Sequence, residues 1–121
     1  MAQQDLFIVN FAAGSALSSW GTIPQGYRIA AIENPGPWTT ADIAFVATSD
    51  PTTYPSGHTV QDAAGNLISI KTASGRVTLV SPQQVPSGMQ YIRLRSHLAG
   101  TDVNQASATS LRVWIVPASA L

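Results

Sequence analysis

The chain of 121 residues contains no cysteine. Disulfide bonds, thiolate metal sites and cysteine nucleophiles are therefore excluded as sources of stability or chemistry. No apolar run approaches the ~20 residues that a membrane-spanning helix needs. Residues 1–5 have no basic region ahead of an apolar stretch, so we do not expect them to act as a secretion signal. These absences lead us to expect synthesis and use within a cytoplasm, or release from one by lysis.

Charge is also scarce. Charged residues make up 10% of the chain, with six basic and six acidic side chains, against about 25% in typical soluble proteins. A balanced and charge-poor surface gives little electrostatic reason to bind nucleic acid or an anionic membrane, so we expect neither partner. It suits a protein whose faces are covered by neighbours in an assembly. A small neutral monomer kept soluble by Ser, Thr and Gln remains the alternative.

Signals for helices are almost absent, whereas proline and glycine recur every ten to fifteen residues and separate short runs of Val, Ile, Leu, Phe and Tyr. Regular short strands divided by turn residues predict an all-β fold. We predict eight strands, at residues 5–11, 27–33, 42–49, 59–62, 67–71, 76–80, 90–96 and 111–116. The expected architecture is one antiparallel β-sandwich over residues 1–121, jelly-roll-like or immunoglobulin-like. Residues 1–26 could form an arm or an edge strand, and 118–121 a loose tail.

The first predicted strand is apolar on both faces. Phe7, Val9 and Phe11 share one face, and Leu6 and Ile8 share the other. A strand with two apolar faces is expected to be covered on both sides. We therefore take Phe7, Val9 and Phe11 as candidate structural or interface residues.

Catalytic chemistry finds little support in the residues present. A Ser-His-Asp triad would have to use His58 or His97, and no Gly-x-Ser-x-Gly motif accompanies either histidine. The aspartates at 42, 50, 62 and 102 flank predicted strands or turns, where their side chains usually cap turns. Asp50 and Asp62 could contribute to a calcium site, although no Asp-x-Asp-x-Asp loop is present. We expect no catalytic residues, no metal and no cofactor.

Two groups of side chains suit binding. Alternation places Arg93 and Arg95 on one sheet face, where Arg112 could join them, and such arginines are usually solvated or paired with aspartate. Trp20, Trp38 and Trp114 could stack on sugars, as in carbohydrate-binding β-sandwiches. Core packing or an interface anchor is the alternative that we favour for the tryptophans. Trp38 follows a rigid Asn-Pro-Gly-Pro turn and is expected to plug one end of the core.

Four segments form a more specific pattern. They read IAAIENPGPWTTADIAFVATSD at 29–50, VQDAAGN at 60–66, YIRLRS at 91–96 and VNQA at 103–106. Together they resemble a group of small structural proteins of tailed bacteriophages and prophages, over most of residues 29–116 and only loosely over the first 25. Two departures stand out. Pro51 and Thr52 follow Ser49 and Asp50 where the group has a Ser-x-Asp-Gly turn, and His97 replaces a glycine after the Arg-Ser pair.

The resemblance implies a virion protein, and within that class a capsid decoration (cement) protein on the capsid surface. The implied partners are the major capsid protein lattice and further copies of the chain, as a dimer or a trimer. Arg95 would hold the 102–105 loop, and Asn104 and Gln105 would satisfy buried loop backbone. Trp38 and Trp114 would serve as structural or interface residues. A neck, tail or baseplate component, or a carbohydrate-binding receptor-recognition module, is the alternative.

Overall fold

The computed structural model describes residues 5–80 and 91–117. Two antiparallel sheets pack face to face in this part of the chain, so the predicted all-β sandwich is confirmed. Ten strands are present there: β1 (Asp5–Phe11), β2 (Gly21–Thr22), β3 (Tyr27–Asn34), β4 (Asp42–Thr48), β5 (His58–Thr59), β6 (Ser69–Lys71), β7 (Arg76–Leu79), β8 (Tyr91–Leu98), β9 (Thr101–Asp102) and β10 (Thr109–Pro117). The tail at 118–121 and Gln90 of the seventh predicted strand lie outside the described residues.

One sheet has four strands in the order β1-β10-β3-β7. The first and last strands of the described chain pair along seven residues, from Asp5 opposite Ile115 to Phe11 opposite Thr109. A bulge between Trp114 and Ile115 shifts the register of β10 against β3. A bulge of this kind increases the local twist of a sheet.

The second sheet has the order β2-β8-β4-β5, and two further short strands extend it. β4 pairs with β8 along its full length on one side, and with β6 and β5 at its two ends on the other. β9 folds back on the end of β8 through a two-residue turn. β4 is therefore the centre of this sheet.

The core lies between the two sheets and is almost entirely aliphatic and aromatic. Each sheet contributes the side chains of its inner face to this core, because every second side chain of an antiparallel strand points to the same face. The largest fully buried side chains include Phe11 of the four-stranded sheet and Phe45 of the other. Trp38 packs against this core with its ring edge-on to Phe11, at a centroid distance of 5.4 Å.

Candidate functional site: the outer face of the four-stranded sheet

The side of the four-stranded sheet that points away from the core carries two complete rows of side chains. One side chain from each strand contributes to each row, as the strand registers define. In the order β1, β10, β3, β7, the first row is Leu6, Trp114, Ala31, Leu79 and the second is Ile8, Arg112, Glu33, Val77. We call these eight residues the outer face.

The outer face is apolar at both of its edges and exposed there. Leu6 and Ile8 are 41% and 47% exposed, and Val77 and Leu79 are 59% and 82% exposed. Scattered single apolar residues are normal on a protein surface, but a contiguous apolar patch usually marks an interaction site. Four of the six exposed large hydrophobic side chains of the described chain lie on this one face.

The centre of the outer face holds one cation and one anion on neighbouring strands. The Trp114 indole N–H donates a hydrogen bond to Glu33 Oε1 at 3.2 Å. Arg112 is the register partner of Glu33, yet the ion pairs found among the described residues do not include this pair. The Glu33 carboxylate is therefore held by Trp114 rather than by an ion pair with Arg112.

The side of β1 that is exposed carries Leu6 and Ile8, whereas the candidate residues chosen from the sequence lie on the opposite side. Val9 and Phe11 are at most 1% exposed, and Phe7 is half-buried against the same core. Of the two roles expected for these residues, structural or interface, their packing in the core fits the structural one. The opposite side of the strand, with Leu6 and Ile8, is the exposed one.

The outer side of the second sheet is closed by its own loops. The Arg93 guanidinium lies 4.7 Å from the centroid of the Trp20 ring, and its Nε donates to the carbonyl of Ser18 at 2.8 Å. Gly57 approaches the Trp20 ring so closely that an added Cβ would lie 2.6 Å from it. Trp20 thus contacts both Arg93 and Gly57 of its own chain.

The three tryptophans do not form one platform. Trp38 lies at the core, Trp20 on the outer side of the second sheet, and Trp114 on the outer face. The Trp38 indole N–H donates to the carbonyl of Ala41 at 3.2 Å. A sugar-binding surface built from several stacked rings needs them side by side, and this arrangement does not provide it.

The three arginines are likewise separated. Arg93 and Arg95 alternate on β8 and point to the outer side of the second sheet, whereas Arg112 belongs to the outer face of the first. The prediction that Arg112 joins the other two is wrong, because β8 and β10 lie in different sheets. These three arginines therefore share no basic patch.

Arg95 holds the turn that follows its own strand. Its Nε pairs with the Asp102 carboxylate, and its Nη2 donates to the carbonyl of Gly100 at 2.6 Å. Two charge-assisted bonds from one guanidinium fix both the ion pair and the backbone of the turn. Asp102 thus forms an ion pair with Arg95, and Asp42 forms one with Lys71, whose Nζ lies 3.4 Å away. The prediction that these two aspartates cap turns is wrong.

The amides at 104 and 105 have different surroundings. Gln105 is fully buried, and its side chain accepts from the Thr39 N–H at 2.8 Å and donates to the Thr39 carbonyl at 3.2 Å. These bonds tie the 103–106 segment to the turn that precedes β4. The Asn104 residue is exposed, so the expectation that it satisfies buried backbone is wrong.

One contact that sequence reasoning missed joins a serine and a histidine. His97 Nε2 lies 3.0 Å from Ser69 Oγ, and the Gly100 N–H donates to His97 Nδ1 at 3.0 Å. A backbone N–H can only donate, so Nδ1 is the unprotonated nitrogen and Nε2–H donates to the serine. Activating a serine needs an unprotonated nitrogen facing the hydroxyl. This arrangement does not activate Ser69.

The pKa of His97 is lowered from its ordinary value of 6.5, mainly because the ring is buried and secondarily because Arg95 is close. Asp42 and Asp102 act in the opposite direction and raise the pKa of His97. The residue is only 2% exposed. The neutral form that accepts from Gly100 is therefore the favoured one near neutral pH.

The remaining histidine and aspartates have local roles. The His58 ring packs at a tilt of 58° against Tyr54, with a centroid distance of 5.0 Å. His58 pairs with β4 at Ala47, about 17 Å along that strand from the residue that pairs with His97. The turn-capping prediction is confirmed for Asp50 and Asp62, which accept backbone N–H groups of the residues that follow them. A bond from the Thr53 hydroxyl is the main cause that lowers the pKa of Asp50.

Other kinds of site are scarce within residues 5–80 and 91–117. They hold no group of three His, Asp or Glu side chains placed to bind a metal ion. A shallow open depression lies beside β7, lined by Lys71, Thr72, Ala73, Arg76, Val77 and Thr78. No helix in the same residues is long and apolar enough to cross a membrane. The outer face is the strongest candidate for a functional surface.

Comparison with known proteins adds no assignment. No protein-family model matches the chain, and no curated protein is significantly similar to it.

Proposed function

We propose that the chain is a structural protein of a tailed-bacteriophage virion, a capsid decoration protein that binds the assembled head and stabilises it. The sequence resemblance described above supplies the class. The observation that supports a role in an assembly is the outer face, a sheet surface with exposed apolar edges that suits contact with a neighbouring protein copy, on a chain with few charges.

The physical basis of such a role is mass action. A protein that binds only the assembled shell lowers the free energy of that state relative to every state that it does not bind. Each copy contributes through buried surface rather than through a reaction. The rigid sandwich core suits this task, because a preorganised surface loses little conformational entropy on binding.

The decisive experiment uses heads from which this protein is absent. Purified chain is added to such heads and to free major capsid protein, and bound chain is measured by co-sedimentation. We expect saturable binding to heads, no binding to the free capsid protein, and heads that withstand a higher temperature before they release DNA.

A chain that binds neither heads nor the complete particle would rule out the virion role. Binding confined to the neck, tail or baseplate of the complete particle, seen by electron microscopy, would replace the decoration role with that component. Heat-denatured chain is the matched control for nonspecific sedimentation.

A further inference from the structure

We infer that the outer face is the contact surface of a two-fold symmetric dimer, and that its occupant is a second copy of this chain. The inference goes beyond the proposed function, because a dimer in solution requires no virion. The order of residues within the two rows of the outer face is the observation that supports this dimer.

Consider a two-fold axis that runs along the strands, midway between β10 and β3 and just above the outer face. Rotation about this axis reverses the strand order while keeping each row at its own height. β1 then lies opposite β7 of the second copy, and β10 lies opposite β3. Two sheets stacked in this way pack about 10 Å apart with nearly aligned strands, as the halves of β-sandwiches do.

Each residue of the first row meets a complementary residue under this rotation. Leu6 lies opposite Leu79 of the second copy, so the two exposed leucines cover each other. The half-buried Trp114 lies opposite Ala31, which is only 8% exposed in the free chain, so new contact at this pair comes mainly from the Trp114 ring.

The second row adds charge complementarity. Arg112 lies opposite Glu33 of the second copy, and by symmetry Glu33 lies opposite Arg112, which makes two ion pairs in one interface. Ile8 lies opposite Val77 at the two edges of the row. An axis along the rows instead would put Trp114 opposite Arg112 and Glu33 opposite Ala31, which leaves the carboxylate without a cation.

Polar groups border the face, as is typical of an interface rim. At one end, the Ser110 hydroxyl donates to Asn10 Oδ1 at 2.6 Å. Three strands about 24 Å long and the shorter β7, about 14 Å long, lie about 4.8 Å apart and give a footprint of about 400 Å² per copy. The total of about 800 Å² lies below the 1,200–2,000 Å² of standard stable interfaces. We therefore expect a weak dimer, with a Kd in the micromolar range or above.

Two charge-reversal variants test the symmetry directly. In R112E two glutamates meet across the axis, and in E33R two arginines meet, so each variant alone should dimerise at least about tenfold more weakly than wild type. In a one-to-one mixture, each introduced glutamate meets an introduced arginine, and the native Glu33 of one chain meets the native Arg112 of the other. The mixed dimer should therefore recover to within about threefold of the wild-type Kd.

Mixing changes only the contacts between chains, because the like charges within each variant chain stay the same. Recovery of the dimer in the mixture would therefore report on contacts across the interface. Sedimentation equilibrium from about 10 μM to about 1 mM measures each Kd, and circular dichroism checks that each variant is folded. A wild-type chain that stays monomeric up to that concentration would overturn the inference. So would a mixture that binds no better than its two components.

A second pair of variants does not depend on charge. Leu79→Ser removes a side chain from the outer face at a position that is 82% exposed, so folding should be unaffected. It should weaken the dimer at least about tenfold. Leu98→Ser, at a 45% exposed leucine beyond this face, is the matched control and should leave the Kd unchanged. Equal effects of the two variants would contradict the proposed interface.

Discussion

At the scale of single residues, Ala99 is under strain. It is the non-glycine residue with positive φ in the described part of the chain, at 52°, and Gly100 follows at 86°. These angles match the two-residue type I′ turn that joins β8 to β9. Alanine in this region costs about 1 kcal/mol, whereas asparagine adopts it more readily because its short polar side chain hydrogen-bonds to the nearby backbone.

Ala99→Asn should therefore stabilise the protein by about 0.5–1 kcal/mol. The expected rise in Tm is about 2–5 °C for a domain of this size, measured by thermal unfolding at neutral pH. Ala108→Asn, at an exposed alanine without positive φ, is the control and should change Tm by less than about 1 °C. An unchanged Tm in the Ala99 variant would mean that the turn relaxes without cost.

Residue identity alone predicts some of these local features and not others. Asp50 and Asp62 were predictable as turn caps because their partners are the next few residues along the chain. The contact of Ser69 with His97 was not predictable, because it requires β6 and β8 to lie on opposite sides of β4. Strand order has no local sequence signal.

At the scale of elements, the β8–β9 hairpin depends on a neutral histidine. His97 accepts the Gly100 N–H with the nitrogen that a proton would occupy. Its lowered pKa means that the unfolded chain takes up a proton at a higher pH than the folded chain does. The contribution of His97 to stability is therefore complete above pH 6.5 and decreases as the pH falls through the pKa of the folded state.

Urea unfolding at pH 7.5 and at pH 5 tests this element. The wild-type free energy of unfolding should be lower at pH 5. His97→Gln keeps an acceptor for Gly100 but cannot titrate, so much of the difference between the two pH values should disappear. His58→Gln, at the exposed histidine that packs against Tyr54, should retain this difference. A pH dependence that survives in the His97 variant would assign the effect to other groups.

The long strands were predictable from their length and apolar content, and the shortest were not. Residues 5–11, 27–33, 42–49 and 111–116 were recognised because the strands that form there are seven to nine residues long and rich in apolar side chains. Gly21–Thr22 and Thr101–Asp102 were missed, since a two-residue strand has no periodicity and exists only through its pairing with β8. The predicted strand at 59–62 shrinks to His58–Thr59 for the same reason.

At the scale of the whole molecule, the first and last strands of the described residues lie side by side in one sheet. β1 contributes Val9 and Phe11 to the core and covers one edge of β10 along seven residue pairs. Truncation of a buried Val or Phe costs about 1–5 kcal/mol per side chain. The total stability of a domain is only about 5–15 kcal/mol.

A chain that lacks residues 1–11 should therefore fail to fold cooperatively. We expect loss of the unfolding transition and aggregation through the uncovered edge of β10. Removal of residues 1–4 alone, which leaves β1 intact, is the control and should preserve the transition. Circular dichroism and light scattering measure both outcomes, and a cooperative transition in the longer deletion would show that β1 is dispensable.

The pairing of β1 with β10 also decides how the molecule responds to mechanical load. Asp5 lies opposite Ile115, so the two strands enter and leave the sheet at the same end. A force that pulls the two ends apart acts across the strands and loads the hydrogen bonds one pair at a time, beginning at Asp5 and Ile115. The β1–β10 pair therefore opens one hydrogen-bonded pair at a time under such a force. A load spread over the outer face is instead shared by all four strands of the sheet.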